Sequence, residues 1–215
     1  MISITLIITV VTVIISLISL GNNQVTETFI FYPPAVTEKK QYYRFITYGF
    51  IHADLFHLIF NMYSFYSFSN GLVEPKFISY FGDYGRAAYL IMYLMALVIS
   101  LLPTYFKNKD NTRYTSLGAS GAVSAVIFAG IIIWPTMPLY VYFIPIPIPG
   151  FVVGILFLVI SAYLDKRGGG NINHSAHMWG ALFGAAFIII SAKLYASVDL
   201  LTDFVEAIKI YMTKF

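Results

Sequence analysis

Six residues in this chain have types and spacings that suit chemistry: four histidines, one serine set among small residues, and one asparagine. Ser120 lies in Gly118-Ala119-Ser120-Gly121. Its neighbours have almost no side chain, so a polypeptide backbone can come close to the hydroxyl. His57 and Asn61 are four apart and share one face of a helix. His177, Gly180 and Gly184 also share a face, and the two glycines form a strip against which another helix can pack closely. Acyl transfer needs a nucleophile, a base and donors for the developing oxyanion. Ser120 offers the nucleophile and His177 the base. The Ser120 N–H, His57 and Asn61 offer the donors. His52 and His174 stand just before His57 and His177.

Each of these groups also has a plainer reading. A serine in an apolar helix commonly bonds the carbonyl one turn back. Glycines in such helices commonly serve packing, and His57 and Asn61 can act as interhelical glue. Two imidazole pairs can ligate a transition metal. On a helix, however, His52 and His57 would diverge by about 140°. Asp54 is the only carboxylate beside either pair, so no metal and no cofactor are expected.

The elements that must position these groups are membrane helices. Of the 215 residues, 59% are hydrophobic and 11% charged, and the mean hydropathy is +0.77. A soluble domain carries about 25% charged residues. The apolar residues run in long blocks, which predicts an all-α polytopic membrane protein in contact with the lipid bilayer. Six segments are long enough to cross, at about 2–20, 54–72, 87–106, 118–134, 148–164 and 175–193, with a tail over 194–215. Residues 1–215 read as a single membrane domain, and the first apolar segment as a retained helix rather than a cleaved signal. Breaks are expected at Gly21-Asn22-Asn23, Pro33-Pro34, Pro103, Pro135 to Pro149 and Gly168-Gly169-Gly170. The tail has helical apolar spacing, so it extends the last span or lies at the interface. With no cysteine there is no thiolate site or disulfide. The scattered cations exclude a nucleic-acid surface. Alternating topology brings the starts of the second, fourth and sixth spans, and all the candidate groups, to one face of the membrane.

Three motifs in this order resemble the rhomboid intramembrane serine proteases. They are Gly118-Ala119-Ser120-Gly121; His52, His57 and Asn61; and Ala176-His177 with Gly180 and Gly184. Tyr43-Arg44 stands where that family often has Trp-Arg, and Glu74 matches a glutamate after the second span. The resemblance implies a six-helix rhomboid-like bundle with a Ser120–His177 dyad. His57, Asn61 and the Ser120 N–H would hold the oxyanion, supported by Gly118, Gly121, His52, Gly180 and Gly184. The implied enzyme is a serine endopeptidase that cuts transmembrane segments of membrane-protein substrates near the outer face, in the cell membrane of a prokaryote. The alternative is an inactive rhomboid-like protein that binds membrane-protein clients. With an N-in start, Lys and Arg are more numerous in the outside loops than inside, against the positive-inside tendency. The resemblance also makes residues 165–174 a mobile cap. Two departures stand out: Ser124 replaces an aromatic that several family members pack on the histidine, and His174 is extra.

Overall fold

The computed structural model describes residues 3–140, 145–168, 170 and 172–214. Helix α1 spans Ile4–Gly21, and the Ser3 side chain caps it by accepting from the Leu6 N–H. Asn22 then ends α1 and caps α2 (Asn23–Phe29), accepting from the Gln24 and Val25 N–H groups. Pro33 and Pro34 open α3 (Pro33–Lys39), where their missing N–H groups cost nothing. The short α4 (Arg44–Thr47) follows. Thus the long connection from 21 to 53 is largely helical, and Arg44 organises it. Its Nη1 donates to the carbonyls of Glu27 (2.8 Å) and Ile30 (2.5 Å) at the end of α2, and its Nε donates to Gln41 (2.6 Å). A cation at a helix C-terminus meets carbonyls that have no partner within the helix.

The second span is longer than the expected 54–72. Helix α5 (Leu55–Phe68) passes through a π-turn at Ser69–Val73 into α6 (Glu74–Phe81). The π-turn widens the helix at the point where Ser69 and Glu74 face α1. Glu74 accepts from the N–H groups of Ile4 (2.8 Å) and Thr5 (2.9 Å) and from the Thr5 hydroxyl (2.5 Å). Ser69 bridges the hydroxyls of Thr5 and Tyr89. A carboxylate at a helix N-terminus satisfies both the dipole and the free N–H groups there.

Helix α7 (Gly85–Asn108) contains Pro103 and runs through it. Helix α8 (Ser120–Ile133) follows, then two short strands, β1 (Pro138–Leu139) and β2 (Ile148–Pro149), paired antiparallel. Helix α9 (Gly150–Arg167) and α10 (His174–Tyr195) complete the apolar set. The tail does not extend α10. Ser197 adopts φ +55°, and Asp199 caps a separate α11 (Leu200–Met212). Lys193 pairs with Asp199 across that turn at 2.6 Å. Gly169 and Asn171, within the expected cap, lie outside the described residues. Among the described residues, Ile4–Gly21, Leu55–Asn108 and His174–Tyr195 hold helices long and apolar enough to cross a membrane, and Ser120–Ile133 is a shorter apolar helix.

Helices α8 and α10 form the centre. A side-chain carbon on Gly180 would overlap the Gly121 carbonyl, and one on Gly184 would overlap Ala125. Only glycine lets these backbones touch. Helix α8 is buried on nearly every side.

Candidate active site

The chain enters α8 through a segment that other parts of the fold hold in place. Ser116 pairs with Phe31 in an antiparallel bridge, N–H to carbonyl in both directions at 2.9 and 3.0 Å. The Gly118 N–H donates to the Tyr48 carbonyl at 2.9 Å. Gly118 has φ +108°, and a side-chain carbon there would lie 2.7 Å from the His57 ring. This position therefore needs glycine for its backbone and for its space. Ser120 follows as the first residue of α8.

His52 fastens this segment to α1. The Ser16 hydroxyl donates to the Phe50 carbonyl at 2.8 Å and sits 2.9 Å from His52 Nδ1. Ser16 therefore accepts from Nδ1–H, and the network assigns the lone pair to Nε2. The Ala119 N–H reaches that lone pair at 3.5 Å, a long bond. His52 precedes α5 rather than lying on it, so the 140° separation from His57 does not apply. The two rings meet edge-on, with centroids 4.9 Å apart.

Helix α10 brings His177 to the same place. Its cap, Asn173, accepts from the Ala176 N–H (3.0 Å) and the Thr104 hydroxyl (3.1 Å) and donates to Ser116 (3.4 Å). One amide thus ties α10, α7 and the approach to Ser120. His177 Nε2 lies 2.7 Å from Ser120 Oγ. Phe157 of α9 stacks on the imidazole, with centroids 6.2 Å apart and planes inclined by 26°. His174, the first residue of α10, meets His177 edge-on at 6.0 Å. Asn61 donates to the His57 carbonyl at 3.0 Å with one of its two amide hydrogens. A cavity of about 260 Å³ opens onto Ser120, His177, His57, Asn61 and Gly118.

Of the residues singled out by the motifs, His57, Asn61, Gly118, Ser120, Gly121, Ala176 and His177 line this cavity; His52 stands behind it against His57 and Ala119, whereas Gly180 and Gly184 lie along the α8–α10 crossing and Arg44 and Glu74 hold α2 and α1. Asn173 and Phe157 were not among them. Asn173 carried a weak signal, an asparagine just before a helical run. Phe157 carried none, since it reaches His177 only through space.

The rhomboid domain family model matches residues 39–194. This chain belongs to the rhomboid family. It is 32% identical over 147 residues to RHOMBOID-like protein 12, mitochondrial, of Arabidopsis thaliana, covering 65% of this chain and 44% of that protein. It is 35% identical over 150 residues to the presenilin-associated rhomboid-like protein, mitochondrial, of Bos taurus, covering 67% and 37%. The Homo sapiens protein of that name is 34% identical over the same length. The matched region thus spans less than half the length of these relatives. Their names are mitochondrial, which overturns the expectation of a prokaryotic cell membrane for this rhomboid chain. Among the described residues the all-α bundle with several apolar candidate spans is the rhomboid-like fold class that the motifs implied.

Proposed function

We propose that this rhomboid protein is an intramembrane serine endopeptidase acting on transmembrane segments of membrane proteins, in a mitochondrial membrane. The observation that carries the reading is the 2.7 Å contact between Ser120 Oγ and His177 Nε2 at the wall of a cavity. Ser120 Oγ attacks the scissile carbonyl carbon while its proton passes to His177 Nε2. The oxyanion takes the Ser120 N–H, the His57 ring and the second amide hydrogen of Asn61. Collapse breaks the C–N bond, and His177 returns the proton to the leaving amine. Water, deprotonated by His177, then hydrolyses the acyl ester. The alternative of an inactive client-binding protein would leave the Ser120–His177 contact without a purpose.

The test is cleavage of a transmembrane reporter by purified protein in mild detergent, with fluorophosphonate labelling alongside. Wild type cleaves and labels. Ser120→Ala loses both, and His177→Ala loses cleavage by at least about 10³-fold. Cleavage that survives Ser120→Ala would sink the mechanism. Binding of the reporter without cleavage or labelling would favour the client-binding alternative.

A further inference from the structure

From Tyr114 to Leu164 the chain has no Lys, Arg, Asp, Glu or His. That run holds α8, α9 and the whole connection between them. The other connections carry charges or directly follow them: Glu38 and Lys40 before α5, Asp83 before α7, Asp110 and Arg113 before α8, Lys166 and Arg167 before α10, and Asp199 before α11. The α8–α9 connection also starts early. Ser120 and His177 touch, so they mark one level. From His177, α10 runs on to Tyr195, about 27 Å away. From Ser120, α8 ends at Ile133 after about 20 Å. The chain therefore leaves α8 roughly 7 Å short of the end of α10. Irregular backbone at such a depth must satisfy its N–H groups within the protein. Here Pro135, Pro138, Pro145, Pro147 and Pro149 have none to satisfy. The N–H groups of Met137, Gly150 and Phe151 donate to the carbonyls of Trp134 (3.2 Å), Met137 (2.9 Å) and Pro135 (2.8 Å), and Leu139 pairs with Ile148.

The side chains divide between two faces. Pro135 and Met137 are buried, Met137 in a cluster with Phe128 and Ile131 of α8. Trp134, Pro138, Tyr140, Pro145, Ile146 and Pro147 are exposed, and none is charged. The exposed apolar surface goes on along α9 with Ile155, Leu156 and Val159. We propose that the α8–α9 connection is a lipid-binding surface, with Trp134, Tyr140 and Ile146 set among the acyl chains rather than in water. A patch that docks another protein from the aqueous side carries a polar rim, and the charge-free run supplies none. Trp and Tyr suit this level, where the ring is apolar and its N–H or O–H can turn toward the headgroups. The prolines suit it too, since each removes a donor that hydrocarbon could not accept from.

The chain has no cysteine, so single ones can be placed at will. Ile146→Cys is reconstituted in phosphatidylcholine vesicles beside Asp83→Cys, an exposed position in the turn before α7 at the same end of the bundle. A charged, membrane-impermeant maleimide is supplied on both sides. Asp83→Cys is expected to label at least about tenfold faster, because a thiol in hydrocarbon stays protonated and out of reach. In SDS the two should label alike. Separately, Trp179→Phe leaves Trp134 as the single tryptophan. Bromine carried on the acyl chains is expected to quench its emission, and aqueous iodide to leave it unchanged. Equal labelling of the two cysteines in vesicles overturns the proposal, and so does quenching by iodide. Slow labelling of Ile146→Cys without quenching by the brominated lipid overturns it as well, since something other than lipid then covers the face.

Discussion

Asn61 has two amide hydrogens and uses one of them on the His57 carbonyl, so its value to an oxyanion rests on the other. Asn61→Ala is expected to lower kcat by about 10²- to 10³-fold with little change in KM, as for other single donors to a developing charge. Steady-state kinetics on the reporter would show it, and a change confined to KM would remove Asn61 from that role. At this scale the sequence was informative wherever chemistry and steric clearance coincide. Ser120 stands out through its small neighbours, and His177 through the glycines that follow it. Asn173, Phe157 and the Ser16 link to His52 did not stand out, because each acts on a partner tens of residues away.

Between elements, the decisive contact is the crossing of α8 and α10. Gly180→Ala drives a methyl into the Gly121 carbonyl, so the helices must part. The expected cost is about 3 kcal/mol, and Ser120 and His177 part with them. Thermal unfolding and fluorophosphonate labelling should both fall. Gly71→Ala is the matched control, since an added methyl there meets nothing within 4 Å, and it should leave both unchanged. Hydropathy located the helices well and their ends less well. The second span continues through a π-turn to Phe81 because Glu74 has a buried partner there, and partners are invisible to hydropathy. Pro103 looked like a stop, yet α7 runs to Asn108. The tail folds as its own helix because Asp199 caps it after a turn at Ser197.

For the molecule as a whole, Glu74 sets how the first helix is seated. It is 3% exposed and holds two N–H groups and a hydroxyl of α1. Glu74→Ala is expected to destabilise the protein by roughly 3 kcal/mol, read as a lower Tm in detergent. A variant that melts like wild type would show that α1 is held by other means. Compartment was the one broad property that the sequence misdirected. Long apolar helices and a partly buried serine–histidine contact obey the same physics in any bilayer, so they carry no address. Helix α1 lies outside the residues that match the family model. It joins the rest by polar attachments near its two ends, Glu74 at one and His52 at the other, with a single residue leading on to α2. In effect α1 is a ligand tethered by one peptide link. A chain severed at Asn22 should therefore behave as a two-component complex: dilution in detergent releases the short piece and silences the serine, and adding that piece back restores it.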